Sequence, residues 1–157
     1  MLRRIIVVGA VAGAAVVAGA TTAIATSSGP DITRAENLFF AARTTSFILA
    51  DVNNNHRPDP GETFVLVDTL HRHGQVVGRN YISCTFVTRS VTQCTYTVNL
   101  RAGKISGNGS VPANTRPGRS FVIPVTGGSG RFANVRGDAR ITQGRGESST
   151  YRVHLLP

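Results

Sequence analysis

From position 47 to position 155, apolar residues return at every second place in one short run after another. No run keeps the 3.6-residue spacing of an amphipathic helix, so the pattern predicts strands. Phe64, Leu66, Asp68 and Leu70 fall on one side of the run 63–70, with Val65, Val67 and Thr69 on the other. In 46–52, Phe47, Leu49 and Asp51 share one face and Ile48, Ala50 and Val52 the other, because successive side chains of a strand point to opposite faces. Further runs lie at 37–43, 76–87, 91–100, 104–107, 121–125 and 151–155. The segments His71-Arg72-His73-Gly74 and Ala102-Gly103 read as turns, 53–61 as a loop and 112–118 as an irregular crossing. About eight short strands with no helix describe an all-β sandwich or barrel. Apolar residues on both faces favour the closed eight-stranded antiparallel barrel, which has no exposed edges.

Positions 121–141 read as strand, glycine turn, strand, with Gly127-Gly128-Ser129-Gly130 as the turn. Three glycines in four residues permit positive φ and close backbone approach. Without a following Lys-Ser/Thr and a helix, they make a poor phosphate cradle.

The first residues carry a different message. Arg3-Arg4, a continuously apolar run over 5–20 and Ala23-Ile24-Ala25 describe a Sec-type secretory signal peptide cleaved after Ala25. An uncleaved anchor is the alternative that the length of the apolar run leaves open. The expected organisation is signal peptide 1–25, loose leader 26–36 and one barrel domain 37–157, secreted, with no membrane contact after cleavage. Cys84 and Cys94 fit that compartment. Partner strands turning near 88–90 put the two sulfurs opposite one another, which predicts a disulfide.

The formal charge is +9, carried almost wholly by arginine, since Lys104 is the only lysine. The arginines are scattered singly, without a basic helix or block, and no tryptophan is present to stack bases. Nucleic acid is therefore not an expected partner; attachment to anionic wall material through the arginines is a minor alternative.

Three motifs in sequence order carry a resemblance. Pro124 to Phe132 with Arg136-Gly137, Val77-Gly78-Arg79, and Gly103-x-Ile105-Ser106-x-Asn108-Gly109 resemble the glycine-rich hairpin and flanking strands of the allene oxide cyclase and dirigent-protein barrels. The resemblance implies an eight-stranded barrel, often dimeric or trimeric, whose lumen holds a small lipophilic molecule. It also implies cyclisation or stereoselective coupling without a metal or organic cofactor. Asp51-Val52-Asn53 resembles the acidic tripeptide on the first lumen strand of the cyclases, and dirigent proteins carry an acid-base aspartate at the position of Asp51. Pro60 is similar in spacing to a water-holding proline, Asp68 falls at a lumen asparagine, and Cys84 matches a lumen cysteine. There are departures: Asp59 replaces a serine, and Phe121 stands in place of an arginine for which Arg119 is the nearest substitute.

The expected site is thus catalytic Asp51, Asn53 and Asp68, with Pro60, Arg79 and Tyr81 binding substrate. An acid or bound water would polarise an oxygen while the apolar wall folds the molecule. Asp51 and Asp68 are the sharpest candidates, because a carboxylate on an apolar strand face costs several kcal/mol unless it is paired or protonated; Arg79 is the expected structural partner. A rival reading of one stretch is a calcium loop, since Asp51, Asn53, Asn55 and Glu62 have its spacing. His56 at the position of the required glycine, Pro58, Pro60 and the flanking strands count against it. His71 and His73 read as a solvated turn, and no metal is expected. The alternative to an enzyme is a non-catalytic secreted binding or structural barrel.

Overall fold

The computed structural model describes residues 32–55 and 57–157. The expected signal peptide, and the expected leader up to position 31, lie outside the described residues. Among the described residues no helix is long and apolar enough to cross a membrane.

Nine strand segments form one antiparallel sheet: β1 (Glu36–Ala50), β2 (Thr63–Arg72), β3 (Gln75–Thr88), β4 (Val91–Leu100), β5 (Gly103–Pro112), β6 (Ser120–Val125), β7 (Gly127–Gly130), β8 (Arg136–Gln143) and β9 (Ser148–Leu156). Their order is β6-β8-β9-β1-β2-β3-β4-β5-β7. Only Thr126 separates β6 from β7, so the two ends of the sheet are one interrupted strand, and the sheet closes on itself as an eight-stranded barrel. The expected runs 37–43 and 46–52 are a single strand, β1, bulged between Thr44 and Ser46. Ile32, within the expected leader, is buried in the core.

Closure depends on a close approach. β7 pairs with the start of β5 in a regular ladder, Gly103↔Gly130 to Ser106↔Gly127. Beyond it β6 lies against β5 without a ladder, because Pro124 has no N–H to give. The seam is held by Thr126 N–H donating to the Ser106 carbonyl at 2.9 Å and by the Tyr96 hydroxyl donating to the Pro124 carbonyl at 3.1 Å. Gly107, the register partner of Tyr96, makes room for both. A methyl group there would stand 2.0 Å from the Pro124 carbonyl oxygen and 2.6 Å from the Tyr96 ring.

The glycine segment corrects the sequence reading. Gly127–Gly130 is strand β7, and the chain turns at 131–134 before β8. Gly128 serves close approach, since a methyl there would lie 2.3 Å from the Phe132 carbonyl oxygen, and Gly130, at φ +62°, leads the chain into the turn.

The registers give the barrel a closed end and an open end. Leu70, Ile105, Phe132, Val135 and Leu155, all at 2% exposure or less, belong to the strand ends and the turn gathered at one end, which they plug. Phe47, Phe64, Phe121 and Gln143 belong to the other end, where the interior is open.

The predicted disulfide is present. Cys84 and Cys94 are directly paired across β3 and β4, their Cα atoms 4.1 Å apart, and both are buried in the lumen wall. The cross-link closes a loop with a sequence separation of 10. Replacing both cysteines with alanine is expected to lower the unfolding free energy by about 2–3 kcal/mol on the chain-entropy relation. Urea denaturation of the oxidised protein and the double variant checks this, and coincident curves would contradict it.

Candidate functional site

The open end leads into a cavity of about 300 Å³. Phe, Leu, Ile and Val make up much of its wall, with the disulfide on one side; Thr92, Thr115, Gln143 and Ser149 add polar groups, and the charged exception lies deep, next to the Leu70 plug. There Asp68, 2% exposed, accepts hydrogen bonds from Thr44 Oγ1 at 2.7 Å and from the Tyr151 hydroxyl. Asn80, the register partner of Asp68, is 1% exposed and donates Nδ2 to the Tyr151 oxygen at 3.4 Å. Among the described residues, none of those lining the cavity is Lys, Arg or His.

Each of these side chains arrives for a local reason. Strict alternation along β2 turns Phe64, Leu66, Asp68 and Leu70 inward together. The β1 bulge adds one residue, Thr45, so that Thr44 and Phe47, an odd number of places apart, both face the lumen. Tyr151 comes from β9, on the far side of β1, and meets Asp68 across 83 positions of sequence.

The electrostatics follow from burial. Desolvation pushes the Tyr151 phenol far above its ordinary range, and the adjacent Asp68 charge pushes it the same way. Its proton therefore stays on oxygen and serves Asp68. Charge-assisted hydrogen bonds are worth about 1.5–3 kcal/mol each, so the Thr44 and Tyr151 donors offset much of the cost of a carboxylate here. Each carboxylate oxygen keeps a further lone pair for a guest.

The other expected site residues lie elsewhere. β1 ends at Ala50, so Asp51, Asn53 and Pro60 belong to the β1–β2 connection at the open end. That is roughly 16 Å of strand from Asp68, at about 3.3 Å per residue from Thr63. None of the three lines the cavity. Arg79 and Tyr81 flank Asn80 on β3 and therefore face outward, both exposed. Arg79 stands opposite Thr69, and the partners of Asp68 are Thr44 and Tyr151 instead. Phe121 lines the lumen while Arg119 precedes β6 at the surface. Cys84 is both lumen-lining and bridged, so it is not a free thiol. Asn80, Thr44 and Tyr151 were missed. Asn80 was within reach, since it shares the parity of Cys84 on β3.

The β1–β2 connection has an order of its own. Buried Glu62 accepts the Val52 N–H at 3.1 Å and the Asp59 N–H at 3.0 Å, and Asp51 Oδ1 accepts the Asn55 N–H at 3.3 Å. The side-chain amides of Asn53 and Asn55 both donate to Asp59 Oδ2, and Arg89 donates twice to Oδ1. The residues of the calcium-loop spacing are thus committed to protein hydrogen bonds. Asn53, Asn55 and Arg89 hold the Asp59 carboxyl at about 2, below the ordinary 3.8. Because the folded value is the lower one, its contribution is present above about pH 3.8 and is lost as pH falls through about 2. The Asn53 and Asn55 side-chain NH₂ resonances are expected to move only as pH approaches about 2. Movement centred near 3.8 would contradict this coupling.

No protein-family model matches the chain, and no curated protein sequence does. Solved structures do. Pyocyanin demethylase is similar with a TM-score of 0.68 at 22% identity, over 77% of this chain and 100% of its own. A pterocarpan synthase dirigent protein gives 0.61 at 14%, over 78% of this chain and 87% of its own. The exo-specific intermolecular Diels-Alderase AbnU gives 0.63 at 14%, over 77% and 97%. The chain therefore has the barrel fold that these dirigent and cyclase structures share.

Proposed function

We propose that this chain is an exported barrel that takes a small lipophilic molecule into its lumen and directs a cofactor-free cyclisation or isomerisation there. One observation carries the reading: a single buried carboxylate, held by a phenol and a hydroxyl, at the bottom of a mostly apolar cavity of about 300 Å³ that opens to solvent and has no other charged residue on its wall among the described residues. Such a wall fixes the conformation of an apolar guest, and Asp68 is placed to move a proton. A proton passes from the guest to Asp68, and the electron pair it leaves forms or shifts a bond. The same proton then returns to the atom that has gained charge, so the mass of the guest is unchanged. Tyr151 and Thr44 hold the carboxylate in place through both transfers. The named activities of the dirigent and Diels-Alderase structures support a reaction governed by guest shape. The leader pattern and the disulfide support export.

A second reading, binding without chemistry, is favoured by the fact that both Asp68 oxygens already have protein donors. Occupancy of the lumen is common to both, and the neutral dye prodan tests it. Its emission is expected to shift to the blue and saturate, and Ile82→Trp, which fills the lumen, is expected to abolish the shift. An unchanged spectrum with the wild-type protein would contradict both readings.

A further inference from the structure

We propose that the lumen selects guests that end in a hydrogen-bond donor, an O–H or N–H on an apolar body, and gives no advantage to a carboxylate end; Asn80 is the residue that sets this preference. The inference rests on the lumen being a binding site. The Oδ1 atom of Asn80 is buried and has no hydrogen-bond partner, although Asn80 is on the cavity wall at 1% exposure. Its orientation is fixed by its neighbour. The single phenolic proton of Tyr151 is committed to Asp68, so the atom of Asn80 that meets the Tyr151 oxygen must be the donating Nδ2, which leaves the carbonyl as the unused group. An orphaned buried acceptor is costly, and a guest donor removes that cost.

The charges agree. Asp68 is the acid on this wall, and among the described residues no Lys, Arg or His lines the cavity to balance it or to receive an anion. A donor-ended guest meets two acceptors there, Asn80 Oδ1 and a free lone pair of Asp68. A carboxylate in the same place meets like charge and no cation.

Four probes with one bicyclic body separate these cases: 2-naphthalenemethanol, 2-methylnaphthalene, 2-naphthoic acid and 2-ethylnaphthalene. The chain has no tryptophan, so naphthyl fluorescence reports their binding directly. At pH 7 the alcohol is expected to bind about tenfold more tightly than either hydrocarbon, the equivalent of about 1.4 kcal/mol. The acid is expected to bind no better than 2-methylnaphthalene. In Asn80→Leu the advantage of the alcohol falls to about twofold or less while the hydrocarbons still bind. An acid that binds as tightly as the alcohol, or an alcohol no tighter than 2-ethylnaphthalene, overturns the preference and leaves lumen binding standing. Failure of all four to bind overturns the lumen reading itself. The wild-type panel decides the preference even if Asn80→Leu does not fold.

Discussion

Asp68→Asn is expected to slow the proposed mass-conserving conversion by about 100-fold or more, the usual scale of a lost general acid-base group, while prodan binding stays within about threefold. The amide has nearly the shape of the carboxylate; its carbonyl oxygen still accepts from one of Thr44 and Tyr151, and its NH₂ can donate to the hydroxyl oxygen of the other, so the cavity keeps its form. What it loses is the capacity to take and return a proton. A lipophilic extract incubated with each protein and separated by chromatography with mass detection gives the readout: a new peak of unchanged mass that appears with the wild type and not with the variant. Equal conversion by both proteins would remove Asp68 from the reaction. Tyr151→Phe complements the test. It leaves the carboxylate with Thr44 as its remaining side-chain donor and is expected to cost about 1–3 kcal/mol of stability, read from urea denaturation.

Gly107→Ala is expected to have a large effect on the fold, a loss of about 3 kcal/mol or more, or failure to fold, at the upper end of overpacking costs. The added methyl would meet backbone at 2.0 Å and the Tyr96 ring at 2.6 Å, at the one seam that has no regular ladder to hold it. The neighbouring Gly109→Ala, whose nearest contact would be the Pro124 ring at 3.1 Å, is expected to cost less. Thermal unfolding of the two variants side by side checks the order, and equal effects would mean that β6 does not lie as close to β5 as described.

The fold was legible because its signals are local. Period-two alternation marks the strands whatever their neighbours, and two cysteines facing each other across a short turn leave little choice of partner. Asp68 was legible for the same reason, as the one acid in the series Phe64, Leu66, Asp68, Leu70. The rest depends on features that alternation does not carry. The bulge at Thr44/Ser46 is invisible to a period-two reading, and with the end of β1 at Ala50 it leaves Asp51 in a loop. Arg79 and Tyr81 were chosen for their chemistry although they have the opposite parity to Cys84. The contact of Tyr151 with Asp68 is made between strands that are not neighbours in the sheet, which no local pattern encodes. The glycines of β7 signal close approach and positive φ, which Gly128 and Gly130 supply, but composition does not say that they lie in a strand with the turn just after it.

Nuclear magnetic resonance titration of the isotope-labelled protein with 2-naphthalenemethanol tests the central claim most directly. The account predicts saturable shift changes at Thr44, Asp68, Asn80 and Tyr151, with intermolecular contacts from the naphthyl ring to Phe64 and Ile123. Changes confined to the outer face, at Ile48, Val65 and Tyr81, with the lumen resonances unmoved, would contradict it.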